Sequence, residues 1–352
     1  MITFAIILSL LLLGVILYLL FRLQVLSAVY RGTFSKRVSL SNRVNAGFFL
    51  AFLIIGGVAF FWSFFDAKKD FSVPVASVHG AWIDDMFWTT MVVIGIVFVV
   101  THILLFWYSF KFQYNAEKKA YYYPHNNKLE IIWTMIPAVV MALLVFSGWK
   151  NWTKIMNPAP ADAVVVEILG KQFNWLVRYP GADNELGRVK HTLIDASNEF
   201  GYDFTDPKAA DDIVSPQEVH IPKGRPVLLH IRSRDVIHDV WQPHWNVQMH
   251  AVPGMPTKFW FVPTKTTAEM AMETGKPDFQ YEISCSQICG QGHFAMRMVI
   301  VVDEPEDYDA WLATQKPYKE TAADLFAEAA KTPAAVVSTG SEEKKVEEKA
   351  AL

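Results

Sequence analysis

The chain has 352 residues, 52% of them hydrophobic and 14% aromatic, with only 19% charged and a net charge of −3. Soluble domains carry about 25% charged residues, so the skew points to membrane segments, and the near-neutral balance excludes a nucleic-acid binder that works through a basic field. Two cysteines and no Cys-x-x-Cys-His exclude a disulfide scaffold, a pair of zinc knuckles and a covalently held c-type haem.

A membrane-spanning helix needs about 20 mostly apolar residues. Four stretches qualify, at roughly residues 2–21, 46–65, 87–110 and 131–149. Buried soluble helices are the alternative, and the length of each nearly uncharged run argues against them. The first stretch has neither the basic leader nor the Ala-x-Ala site of a cleaved signal peptide. Loop charges orient the set, because Lys and Arg mark cytoplasmic loops. Arg22, Arg31, Lys36, Arg37 and Arg43 follow the first stretch with no acid among them. Next, Lys68 and Lys69 are set against Asp66, Asp70, Asp84 and Asp85, and the third loop holds Lys111, Lys118, Lys119 and Lys128. This pattern predicts a multi-pass protein of a bacterial-type plasma membrane, with both termini and everything after Trp149 outside the cytoplasm.

From about residue 163 to 302 the pattern changes to short β-rich runs separated by Gly, Pro and Asp. The runs at 164–169, 227–231, 258–262 and 298–302 predict a sandwich or small barrel. Residues 151–310 carry 14 Lys and Arg against 22 Asp and Glu, a net of −8, which is either a solvated acidic face or a surface that steers a basic partner. Residues 307–315 read as a short helix, part of 322–331 as helical, and 338–349 as a disordered tail rich in Glu and Lys.

The informative stretch is Cys285-Ser-Gln-Ile-Cys289-Gly-Gln-Gly-His293-Phe-Ala-Met296. Thiolate and thioether select copper, and imidazole suits it. Two thiolates can bridge two copper ions, each of which then needs one imidazole and one weak axial ligand. His293 and Met296 supply one of each, and a backbone carbonyl can serve as the other weak ligand. A disulfide between the cysteines would leave His293 and Met296 unexplained, and zinc has little use for a methionine. The second imidazole must come from an earlier segment. His230, His238, His244 and His250 are the candidates; His230 alternates within a strand, and His238 stands where that strand gives way to a loop.

These residues resemble the copper A motif of cytochrome c oxidase subunit II. The resemblance extends to Asp235-Val-Ile-His238, Ala251-Val-Pro-Gly254, Glu130-Ile-Ile-Trp133-Thr134-Met-Ile-Pro137 and Gly170-Lys-Gln172-Phe173-Asn-Trp175, and covers residues 85–315 in the family's order. It implies that Cys285 and Cys289 bridge two coppers, that His238 and Met296 complete one, and that His293 and the carbonyl of Gln287 complete the other. It also implies a cupredoxin-like β barrel (151–316) held outside the membrane by a helical hairpin (85–150); the apolar runs in 1–66 add two helices to the family's usual pair, and composition makes 317–352 a partly disordered tail. The implied activity passes electrons from cytochrome c through copper A to the haem of subunit I, where oxygen is reduced to water and protons are pumped. Ser286 and Asp239 are expected to tune the centre. Glu130 matches the family's glutamate at a proton-channel mouth, although an acid at a helix start also serves the helix dipole.

Three departures stand out. Phe173 replaces the tryptophan through which the family accepts electrons, while Trp175 is retained. Gln287 replaces a glutamate, which leaves the shared magnesium site at the subunit I boundary without its carboxylate. His250 and Met255 stand where the family has an acid and an arginine. The two additional helices and Phe173 together suggest further membrane subunits and lipid as neighbours, and a membrane-held cytochrome c domain as an alternative donor to free cytochrome c.

Overall fold

In the computed structural model, which describes residues 2–71, 73–115, 118–215 and 218–331, the apolar stretches lie in helices longer than themselves. These are α1 (Ile2–Tyr30), α2 (Phe34–Phe71), α3 (Val78–Lys111) and α4 (Asn127–Met156), and each contains a span long and apolar enough to cross a membrane. Leu10, Leu17, Ile55, Val58, Ile136 and Val145 are largely exposed, a surface that lipid covers without cost while the helix satisfies its own backbone. Aromatic side chains join α2 to α3: Phe49 and Phe52 pack on Phe106 with centroids 5.8 and 5.5 Å apart, and Phe60 packs on Phe98 at 4.9 Å.

The membrane helices form one compact unit, and Val73–Met86 joins the chain from Phe146 onward in a second. The sequence treats residues 66–85 as a connecting loop. Instead, the Ala76 N–H donates to the His244 carbonyl (2.7 Å), the Ser77 hydroxyl to the Trp245 carbonyl (2.9 Å) and the Val78 N–H to the Val262 carbonyl (3.1 Å). Ala76 is fully buried in the β-domain core. Residues 73–77, just before α3, have no strand or helix period of their own; partners about 170 residues away in sequence settle their conformation.

The β domain is a sandwich. One sheet has the order β3-β2-β1-β5-β8, built from β1 (Val164–Lys171), β2 (Asn174–Tyr179), β3 (Ile213–Ser215), β5 (Val227–Ser233) and β8 (Thr257–Phe261). The other has the order β4-β10-β9-β6-β7, from β4 (Glu218–Pro222), β6 (His238–Gln242), β7 (Val247–Ala251), β9 (Tyr281–Cys285) and β10 (Arg297–Asp303). Both sheets are mixed: β1 runs parallel to β5, and β4 parallel to β10. Alternation sorts the side chains. Val227, Leu229 and Ile231 point inward from β5, and Met298, Ile300 and Val302 from β10, into one core that also holds Trp175, Val240, Trp245 and Tyr281.

Helix α5 (Thr267–Thr274) begins with a capping box in which Thr266 and Glu269 satisfy each other's backbone N–H. Helix α6 spans Pro305–Thr314, close to the expected helix at 307–315. A second, smaller core forms on the outer side of β1 and β2, where Leu169 and Leu176 meet Phe200, Tyr202 and Phe326. Phe326 belongs to α8 (Ala323–Lys331), which follows the short α7 (Tyr318–Thr321). The tail expected at 338–349 lies outside the described residues.

Candidate metal centre

The centre forms at one end of the sandwich, where β6 begins and β9 ends. Val240 and Cys285 are register partners, so His238, two residues before Val240, faces the same side as Cys285. The sequence puts His238 at a strand-to-loop junction; the structure makes it the first residue of the next strand. After Cys285 the chain loops through a single 3-10 turn, His293–Ala295, and returns so that the Cys285 N–H donates to the Met296 carbonyl (3.1 Å). That closure packs four soft groups together. Cys285 Sγ lies 3.9 Å from His238 Nδ1, 3.9 Å from Cys289 Sγ and 3.1 Å from the Gln287 carbonyl oxygen. Cys289 Sγ lies 3.7 Å from His293 Nδ1 and 3.9 Å from Met296 Sδ. Both thiols are free. His238, Cys285 and Cys289 form the one group of potential metal-holding side chains found among the described residues.

His238 is fully buried and Met296 nearly so. Burial, with the Cys285 thiol beside it, pushes the Cys289 thiol up to about 11. The Cys289 thiol therefore holds its proton near neutral pH, and a metal must displace that proton to bind. The donor chemistry fits such a metal: two thiols, two imidazoles, a thioether and a carbonyl converge, which suits copper and not a hard cation.

Two residues that the sequence leaves without a role orient these groups. Asp235 Oδ1 is 2.8 Å from His238 Nε2, so Nδ1 is the nitrogen facing the thiols. Burial works to raise the Asp235 carboxyl, but hydrogen bonds from Gln172 and His238 outweigh it and hold it below the usual range. Gln172 donates its backbone N–H to Asp235 (2.8 Å) and its side-chain amide to the Cys289 carbonyl (2.5 Å). The Asp235 carboxylate, three residues before the histidine, also accepts from the Val236 N–H (2.7 Å).

Phe173 is partly exposed and lies over the loop glycines. A Cβ on Gly292 would sit 2.5 Å from Phe173 Cγ, and one on Gly290, whose φ is +136°, would sit 2.9 Å from the same ring. Trp175 is 2% exposed and meets the edge of His238 at 5.9 Å, while its indole N–H has no partner among the described residues. It packs against the centre from inside, and Phe173 faces out.

The rival histidines are engaged elsewhere. His230 stands on the outer face of β5, where burial lowers its pKa. His244 Nδ1 lies 2.9 Å from the Pro74 carbonyl, and burial again lowers its pKa. His250 is register partner to Asp239. Glu130 is not part of this cluster. It lies in the membrane unit, where its carboxylate accepts from the Asn126 N–H (3.0 Å) while the Asn126 side chain accepts from the Leu129 N–H (3.1 Å). That is a reciprocal helix cap.

Two family descriptions match the chain: cytochrome c oxidase subunit II, transmembrane domain, over residues 66–150, and cytochrome c oxidase subunit II, periplasmic domain, over residues 164–303. The alternative cytochrome c oxidase subunit 2 of Bradyrhizobium diazoefficiens is 34% identical over 246 residues, covering 70% of this chain and 84% of that protein. Cytochrome c oxidase subunit 2 of Thermostichus vulcanus is 27% identical over 287 residues, covering 74% and 83%. Among solved structures, the periplasmic domain of subunit II of cytochrome oxidase from Bradyrhizobium japonicum is similar at 22% identity and a TM-score of 0.30, over 48% of this chain and 99% of that one.

Proposed function

The chain belongs to the cytochrome c oxidase subunit II family and is a membrane protein with an extracytoplasmic β domain, and we propose that this domain takes up electrons for the oxidase at a dinuclear copper A centre. The reading rests on one observation: two free thiols, two imidazoles and a thioether converge at one end of the sandwich. Cys285 and Cys289 would bridge the two metals, with His238 and Met296 completing one set and His293 and the Gln287 carbonyl the other. When bound, this centre supplies one-electron transfer from cytochrome c toward the haem of subunit I, where oxygen is reduced to water and protons are pumped.

The chain's own residues prepare the site. Asp235 fixes the His238 ring so that Nδ1 faces the thiols, and Gln172 ties down the Cys289 carbonyl. Burial keeps water from His238, Cys285, Cys289 and Met296, and the closed loop limits their movement when charge arrives. Phe173 is the outward face of the electron-accepting region and Trp175 its inner wall. For the shared magnesium at the subunit I boundary, Gln287 offers a neutral side-chain amide in place of a carboxylate, so any hard cation held there lacks that charge.

The partners of this reading are subunit I, further membrane subunits against α1 and α2, lipid, and cytochrome c or a membrane-held cytochrome c domain as donor. Loop charge places both termini outside the cytoplasm of a bacterial-type plasma membrane. Glu130 is assigned to the proton-channel entrance, alongside its capping role. Replacing it as Glu130→Gln then slows turnover during reduction of the oxidase and leaves the copper spectrum intact; unchanged turnover removes the channel role. The decisive test is copper counting and electron paramagnetic resonance on the full-length chain in purified oxidase. Two coppers sharing one unpaired electron are expected, and one copper or none overturns the reading.

A further inference from the structure

Asp239 follows His238 directly and is fully buried. Strand alternation turns its carboxylate away from the His238 ring, so it does not join the donor cluster. Asp239 instead stands in the middle of three strand segments. On one side Trp241 and Val240 pair with Ser284 and Cys285, which brings Ser286 to the level of Asp239. On the other side its register partner is His250 of β7. The Ser286 hydroxyl donates to Asp239 Oδ2, and the Ser286 N–H donates to the Asp239 carbonyl (3.4 Å). The Gln248 side-chain amide donates to the same Oδ2 (3.0 Å) and reaches Ser286 Oγ at 3.5 Å. His250 Nδ1 lies 3.0 Å from Oδ1 but outside hydrogen-bonding geometry, so Oδ1 has no hydrogen bond among the described residues.

A carboxylate with no exposure costs several kcal/mol unless it is paired and hydrogen-bonded. Serving β7 alone would not require it, because the β6–β7 ladder already holds those strands together. What the carboxylate adds is a side-chain tie to Ser286, the residue between Cys285 and Gln287. Two members of the donor set therefore flank the point that Asp239 holds. Asp235 restrains the His238 ring from one side of the centre, and Asp239 restrains the thiol loop from the other.

We propose that Asp239 is a positioning residue for the metal-holding loop, with Ser286 as its handle and Gln248 as its anchor to β7. The inference rests on the copper A reading above and adds a residue that touches no metal. It makes two separable claims, one geometric and one electrostatic. Losing the Ser286 tie would free Cys285 and the Gln287 carbonyl, the two donors that flank Ser286, to shift. Losing the negative charge eases the arrival of an electron, because a fixed carboxylate beside the centre opposes the added charge.

The test uses the holo-oxidase, with copper content, midpoint potential and copper hyperfine pattern measured for the native chain, Asp239→Asn, Ser286→Ala and the double variant. Asp239→Asn keeps the size and some of the hydrogen bonding. It is expected to retain two coppers and to shift the reduction equilibrium about tenfold toward the reduced state, which is about 59 mV for one electron. Ser286→Ala is expected to alter the hyperfine pattern with a smaller change in potential, and the double variant to fall short of the sum of the single effects. Native hyperfine and potential in both single variants, with two coppers bound, overturn the proposal. If Asp239→Asn fails to assemble, Ser286→Ala alone decides: an altered hyperfine pattern supports the proposal and an unchanged one overturns it. A native chain without two coppers overturns the underlying copper reading instead, so the two failures are distinguishable.

Discussion

The β domain buries two polar clusters, one around Arg178 and one around Cys285, and they meet the cost of burial in opposite ways. Arg178 is 1% exposed. It donates to both Glu167 oxygens (3.1 and 3.0 Å), to Asp212 (2.8 Å) and to the Gly187 carbonyl (2.8 Å). Arg232 supplies a second cation to Glu167 (2.9 Å), and the Tyr202 hydroxyl donates to Asp212 (2.9 Å). Every charge there is answered within the chain. Around Cys285 the contacts are 3.7–3.9 Å between soft atoms that hydrogen-bond weakly. That cluster is orderly because Asp235, Gln172 and the backbone hold it from outside. A cluster satisfied internally stabilises a fold, whereas one positioned but left unsatisfied is prepared for something added.

The comparison can be broken most severely at the thiols. Cys285→Ser or Cys289→Ser is expected to abolish the two-copper signal and lower cytochrome c oxidation by more than the roughly 10–100-fold typical of residues behind the ligands. Thermal unfolding of the metal-free chain should barely change. A variant that still holds two coppers contradicts the bridging role. The converse change is Arg178→Met, which strands Glu167 and Asp212 without their shared cation. It should destabilise the domain by about 3–5 kcal/mol, read by denaturant unfolding, while any folded fraction keeps the native copper spectrum. A shifted spectrum would mean that the two clusters communicate.

A smaller effect comes from Asp212, whose carboxyl burial raises to about 6 against the opposing pull of Arg178. Between its ordinary value of 3.8 and about 6, the folded state binds the proton that the unfolded state has lost. The contribution of this group is therefore fully present below pH 3.8 and is lost as pH rises through 6. Relative to Asp212→Asn, the native protein should lose on the order of 1–3 kcal/mol across that window. Parallel unfolding curves for the two proteins from pH 4 to 7 contradict it. The mildest change is at the rim. Phe173→Ala removes the ring that covers Gly290 and Gly292, and should slow electron uptake several-fold with the copper count unchanged. Unaltered uptake would remove Phe173 from the electron-accepting face.

Much of this architecture is written in local patterns. The four long apolar runs announce their helices because a bilayer imposes a minimum length on any span. The strands at 164–169 and 298–302 announce themselves through β-branched runs between turn residues. The Cys285 to Met296 segment names its chemistry because its four soft side chains lie within twelve residues. Other features have no local signature. Nothing in 73–86 marks it as part of the β domain, since its hydrogen-bond partners come from residues 244–262. Arg178 reads as an ordinary outward residue of a strand. It is buried because the segment carrying Tyr202 and Asp212, together with α8, folds over that face of the sheet.

The sequence by itself determined the class of molecule and the chemistry of its loop: four spanning helices, a β domain after them, and a soft donor set in one short segment. Only the tertiary structure decided which other side chains reach that segment. His238 meets Cys285 across 47 residues, and Gln172 meets the Cys289 carbonyl across 117. Asp239 acquires Ser286 and Gln248 at once because β6 lies between β7 and β9. The physical reason is one of range. Hydrophobic length and side-chain softness are properties of neighbouring residues, whereas orientation and burial are conferred by strand pairings between distant ones.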